Sequence, residues 1–67
     1  MNNVNVGEKI KKYRKDRGIT QKELAEAVGV TQAMIAYIES DLKMPSVNIL
    51  FNIAKELNVS VDSLTTV

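Results

Sequence analysis

Thr20 to Ser40 reads TQKELAEAVGVTQAMIAYIES, and this stretch decides the fold. Leu24, Ala25 and Val28 recur at helical spacing, Gly29 interrupts the pattern, and Ile35 and Ile38 resume it. The spacing predicts two short helices broken by a tight turn. Thr20 and Glu23 form a capping box: the Thr hydroxyl accepts from the Glu23 amide while the Glu23 carboxylate accepts from the Thr20 amide. Gly29 supplies the left-handed backbone that the turn needs without a Cβ penalty. Ala25 falls where the second helix must cross, so a small side chain is required there.

Upstream, a first helix is expected from Val6 to Arg17, with Val6, Ile10 and either Tyr13 or Arg14 on one face and lysines on the other. Gly18 ends it as a left-handed cap, and Ile19 stands before Thr20 in the position of a hydrophobic staple. Residues 1 to 5 carry three Asn and no periodicity, and are expected to be a flexible tail preceding one domain over residues 6 to 67. Downstream, Thr31 caps a third helix over Gln32 to Ser40, and Ser46 caps a fourth on which Leu50, Ile53, Ala54 and Leu57 form the core stripe. Pro45 confines Met44 to an extended conformation. Asn58 closes the fourth helix in a left-handed turn, and Ser60 caps a last turn presenting Val61 and Leu64. The expected architecture is all-α, a compact five-helix bundle.

Sixty-seven residues allow one small core. The absence of Cys and His removes disulfides and the common zinc sites, so helix packing must hold the fold, and no metal or cofactor is expected. No apolar run approaches the roughly 20 residues of a membrane span and the Asn-rich start does not resemble a signal peptide, so a cytoplasmic protein is the expectation. The net charge of +1 hides a division along the chain. Residues 8 to 22 hold seven basic groups against two acidic, a net +5, and the remainder holds Lys43 and Lys55 against six acidic groups, a net −4. Such a basic segment attracts phosphates when it lies beside a groove-reading helix; a solvated lysine face is its other meaning. With no His or Cys, no Gly-rich phosphate loop and no evident acidic pair, the sequence points away from an enzyme.

Two helices meeting at a glycine turn describe a helix-turn-helix. Gln21, Ala25, Gly29, Val30, Ile35 and Ile38, then Glu39 and Pro45-Ser46, resemble the Cro and phage-repressor class of helix-turn-helix DNA-binding domains. Ile10, Arg14 and Gly18 upstream and Leu50, Ile53-Ala54, Leu57 and Val59-Ser60 downstream extend the resemblance over about residues 7 to 65. It implies an ion pair between Arg14 and Glu39 joining the first and third helices, a third helix in the major groove of double-stranded DNA, and a phosphate contact from Gln21. The other meaning of Gln21 is a surface residue at a helix start.

At roughly 100° per residue, Thr31, Ile35, Ile38 and Leu42 are expected on the inner side of the third helix, with Ala33, Ala36, Tyr37 and Ser40 pointing away and Gln32 on the flank. The expected DNA-contacting set is Gln21, Thr31, Gln32, Ala33, Ala36, Tyr37, Ser40 and Lys43. The planar amide of Gln32 matches adenine N6 and N7, either Ala33 or Ala36 fits against a thymine methyl, and Tyr37 reaches a methyl with its ring or a phosphate with its hydroxyl. Met34 is read as core filler. Arg is frequent in the family at the positions of Tyr37 and Ser40, Gly at that of Asp41 and Lys at that of Leu42. These departures argue against tight guanine reading and leave Lys43 as the loop's phosphate contact. Val47, Ile49 and Phe51 widen the fourth helix's apolar stripe, which suggests either a homodimer surface or end-of-chain packing. The reading is a sequence-specific transcriptional regulator of repressor type, dimeric on a palindromic operator; the alternative turns the same neutral helix into a protein-binding face, as in an antitoxin or a regulator of a partner repressor.

Overall fold

A computed structural model describes residues 5–66. These form α1 (Val6–Asp16), α2 (Gln21–Val28), α3 (Gln32–Glu39), α4 (Val47–Leu57) and α5 (Val61–Thr65). The expected ends at Arg17 and Ser40 each fall one residue later than the observed ones, an ordinary difference where a last turn loosens. Residues 1–4 and 67 lie outside the described chain, and with them most of the expected tail; the Asn5 carbonyl accepts the Lys9 amide at 3.0 Å and so already belongs to the first turn of α1.

Four helix starts are set by side-chain oxygens from the residue just before. The Thr20 hydroxyl accepts from the Glu23 amide at 3.0 Å and the Glu23 carboxylate accepts from the Thr20 amide at 2.8 Å, completing the capping box. Thr31, Ser46 and Ser60 accept in the same way from Met34, Ile49 and Ser63. The ends are left-handed where the sequence calls for it: Gly29 at φ 79° and Asn58 at φ 58°, with Gly18 at φ 71° one residue beyond the α1 cap. The exception is α1, whose Asn5 makes no side-chain cap; the Gly7 amide donates instead to the Asp41 carboxylate at 3.0 Å.

All five helices feed one core. Ile10, Leu24, Ile35, Ile38, Ile53, Leu57 and Leu64 are each fully buried, and burial of a side chain of this size stabilises by roughly 2 kcal/mol. Helix α3 packs on α2 and α1, α4 packs on α2 and α5, and α1 also rests on α5. One side of α3 is thereby left to solvent. Arg14 is the buried member of the Tyr13/Arg14 pair, with Tyr13 partly buried against the core, and Met34 and Ile19 pack against the core as expected.

Leu42 and Thr31 depart from the expected inner side of α3. Leu42 is 76% exposed and Thr31 is exposed. The helix ends at Glu39, and Asp41 then turns left-handed at φ 62°, so helical rotation cannot be carried on to residue 42. Thr31 is a cap with extended backbone (φ −81°, ψ 157°), outside the helical frame. On α4, Leu50 and Ile49 are half-buried against the core, whereas Val47 and Phe51 are exposed. Among the described residues no helix is long and apolar enough to cross a membrane.

Candidate nucleic-acid interface

A buried polar cluster fixes the orientation of α3. Arg14 on α1 donates from Nε to Glu39 Oε2 at 2.6 Å and from Nη2 to Glu39 Oε1 at 3.1 Å, a bidentate pair. Its Nη1 donates to the Ile19 carbonyl at 2.8 Å. Gln21, at the start of α2, donates from Nε2 to the same Glu39 Oε1 at 3.1 Å. Arg14 is 8% exposed and Glu39 5%, so water competes little for these bonds. Three helices therefore converge on the last residue of α3. The ion pair follows from the family resemblance; the third bond, from Gln21, was not legible in the sequence.

Glu39 as a carboxylate only accepts, which settles that the Gln21 amide nitrogen faces it. That leaves Gln21 half-buried with one N–H and its carbonyl oxygen still free for an outside contact. Beside it, the Gln21 and Lys22 amides at the first turn of α2 have no intrahelical acceptor, a setting that attracts anions.

The uncovered side of α3 carries Gln32, Ala33 and Tyr37, all exposed, and a half-buried Ala36. Tyr37 is 51% exposed. Thr31 and Ser40 bracket this row, but their hydroxyls already serve the helix: Thr31 accepts from the Met34 amide at 3.1 Å, and Ser40 donates to the Tyr37 carbonyl at 3.0 Å. The Tyr37 carbonyl also accepts from the Leu42 and Lys43 amides at 2.9 and 3.3 Å, tying the following loop to the helix end. Lys43 projects from that loop and is exposed.

The seven basic residues of the N-terminal third do not all face water. Arg14 is neutralised by Glu39, Lys12 pairs with Asp16 at 3.2 Å on the surface, and Lys9 bonds the Thr66 carbonyl. Lys11, Lys15, Arg17 and Lys22 are exposed cations. Among the described residues no group of three or more His, Cys, Asp or Glu side chains is placed to hold a metal ion.

Comparison with known proteins places this arrangement. The helix-turn-helix family model matches residues 10–64. The chain is 40% identical over 60 residues to the HTH-type transcriptional regulator SinR of Bacillus subtilis, covering 88% of this chain and 54% of SinR. It is 36% identical over 61 residues to the immunity repressor protein of Bacillus phage phi105, covering 91% of this chain and 42% of that protein. Among solved structures, the P22 c2 repressor protein in complex with a synthetic operator superposes with a TM-score of 0.87 at 33% identity, covering 91% and 92% of the two chains. SinR in complex with DNA superposes with a TM-score of 0.82 at 40% identity, covering 88% and 95%. The chain spans about half the length of the curated relatives SinR and the phi105 repressor. With the five-helix fold, the capped turn between α2 and α3 and the Arg14–Glu39 pair all in place, the chain belongs to the Cro and phage-repressor type of helix-turn-helix family.

Proposed function

We propose that this chain is a sequence-specific DNA-binding transcriptional regulator that represses by occupying a promoter, with α3 inserted in the major groove. The observation that carries this reading is the solvent side of α3: Gln32, Ala33 and Tyr37 serve no core, yet the helix bearing them is locked by the buried Arg14–Glu39–Gln21 cluster. A rigid element presenting adaptable polar and methyl groups suits the reading of base edges. The relatives SinR and P22 c2 repressor, both solved with DNA, support it. Gln21 and Lys43 would contact phosphates on either side of the reading helix, with Thr31 and Ser40 at its ends. No reaction is needed for this role, nor any cofactor, and the site of action would be the cytoplasm, where the DNA is.

Action as a homodimer on a palindromic operator belongs to the same proposal. Half-sites read by such domains lie about 34 Å apart, one helical turn.

The test is selection of bound sequences from random duplex DNA at near-physiological salt, followed by titration of the winner against Gln32→Ala and Tyr37→Ala. A palindromic consensus is expected, with preference at one base pair per half-site relaxed by about 1–3 kcal/mol in the Gln32 variant. The neutral face of α3 also fits a protein partner. Failure to enrich any sequence, together with DNA-independent capture of such a partner, would replace the operator reading with that one.

A further inference from the structure

We infer that the groove between α3, the loop after it and the start of α4 is a binding site for a small aromatic carboxylate, whose occupant competes with DNA for Lys43. The competition rests on the proposed function; the site itself does not. The groove encloses about 280 Å³, at the small end of ligand pockets, which begin at roughly 300 Å³. Met34 on α3 and Ile49 on α4 line it, together with Met44 and Pro45 of the loop. Ile38, 1% exposed, is the most deeply buried of the lining residues. Ile49 stands roughly 200° around α4 from Phe51, so the groove is separate from the apolar flank that Val47 and Phe51 expose.

Size, wall chemistry and charge together select the occupant. A cavity of about 150 Å³ holds one benzene, so this groove suits a ring with a short tail rather than a folded segment. Its two thioethers, Met34 and Met44, adapt to shape and make favourable contacts with an aromatic ring. Lys43 is the one charged side chain among the lining residues, and no ion pair engages it among the described residues. The Ser46 hydroxyl accepts from the Ile49 amide and keeps its hydrogen to donate. An apolar body with one carboxylate head meets all of these groups. A cation would face Lys43, and an uncharged apolar molecule would cover part of the ammonium without pairing it. Lys43 is also the proposed phosphate contact of this loop, and a carboxylate paired with it there neutralises the charge that attracts DNA.

The probe is phenylbutanoate, with phenylbutanol as its uncharged counterpart. Labelled methionine methyls report binding by NMR, because a ring seated against Met34 and Met44 shifts both signals upfield. A dissociation constant of about 1 mM or tighter is expected. Binding should be severalfold weaker for the alcohol and for Lys43→Ala, and lost in Met44→Glu, which sets an anion at the rim. Met44 is 70% exposed, so that variant should melt with wild type. With the probe present, the salt slope of DNA binding should fall in magnitude by about 1 per protomer in wild type and stay unchanged in Lys43→Ala. Methyl signals unmoved well above that concentration, or equal binding of acid and alcohol, would overturn the inference. Signals that move with protein concentration instead of with probe would also overturn it, giving the groove to a second copy. Probe binding that leaves the wild-type slope as it was would overturn the competition. No enriched operator would overturn the proposed function and the competition with it, while the methyl signals still decide the site.

Discussion

The Gly7 amide donates to the Asp41 carboxylate across 3.0 Å, joining the first turn of α1 to the second residue beyond α3. This bond supplies the cap that Asn5 does not, and it brings the backbone of α1 against the end of α3. A Cβ at Gly7 would collide with the Ile38 carbonyl oxygen and lie 2.8 Å from the Glu39 carbonyl oxygen, both backbone atoms that cannot swing aside. Gly7→Ala is therefore expected to cost about 3 kcal/mol, the upper part of the range for overpacking. A domain of this length has about 3–10 kcal/mol in all, so thermal melting should show a large drop or loss of the cooperative transition. A melting point within a few degrees of wild type would show that α1 and α3 separate easily.

Asp41 carries two demands at once, a left-handed backbone at φ 62° and the acceptor for Gly7. Asn meets both, tolerating the left-handed region and keeping a side-chain oxygen. Gly meets only the first and Ala neither. The expected order of stability is Asp and Asn together, then Gly lower by up to about 1 kcal/mol for the lost cap, then Ala lower by about 2 kcal/mol or more. Chemical denaturation of the four proteins checks the order; Ala equal to Gly would remove the backbone argument, and Gly equal to Asp would remove the cap.

Most of the fold was legible because its determinants are local. The Thr20–Glu23 box, the Thr31, Ser46 and Ser60 caps, and the left-handed Gly18, Gly29 and Asn58 each depend on residues within a turn of one another. The Arg14–Glu39 pair spans 25 residues and entered through the family resemblance, not through spacing. The Gly7–Asp41 bond spans 34 residues and had no local signature. Its available signal was a glycine inside a helical pattern, which marks a close approach of backbone when it is not a cap. The Gln21–Glu39 bond depends on how an amide rotates, and Leu42 was misplaced by extending helical rotation past a left-handed residue.

The buried pair gives a third prediction. Arg14→Ala leaves Glu39 charged inside the protein with Gln21 as its remaining partner, and Glu39→Ala leaves the Arg14 guanidinium similarly stranded. Each is expected to destabilise by about 3–5 kcal/mol. The double variant Arg14→Met, Glu39→Leu should recover much of either loss, since no unpaired charge remains. Arg14→Lys should not rescue, because an ammonium cannot bond both Glu39 oxygens and the Ile19 carbonyl in one planar fork. Denaturant titration of the four variants distinguishes these outcomes; additive losses in the double variant would show that the two side chains act independently.

Phe51 and Val47 stand one turn apart on α4, exposed to 57% and 69%, and Leu42 and Met44 in the preceding loop are exposed as well. If two copies meet through this apolar surface, Phe51→Ser should leave the stability of the single domain within about 0.5 kcal/mol of wild type, as surface changes do. It should also abolish any dimer seen by sedimentation and weaken operator binding, because the second half-site no longer holds the first. Unchanged sedimentation in a wild type that is dimeric would move the interface elsewhere, with the C-terminal turn around Val61 as the next place to look.

Substitution at Lys43 tests the proposed phosphate contact apart from the proposed reading of bases. Lys43 is exposed on a loop whose amides at Leu42 and Lys43 are tied to the Tyr37 carbonyl, so its backbone is held to the end of α3 while its side chain faces solvent. Neutralising one phosphate releases one condensed counterion, which appears as a slope of about −0.9 in the logarithm of the binding constant against that of salt. Lys43→Ala is therefore expected to reduce the magnitude of the slope by about 1 per protomer and to weaken binding to operator and random duplex alike. Gln32→Ala should do the reverse, leaving the slope alone and relaxing preference among sequences. Titrations of both variants across a range of salt concentrations, on operator and on random DNA, give the two effects separately. A Lys43 variant that loses operator affinity but keeps its salt slope would assign the lysine to a base edge rather than to phosphate.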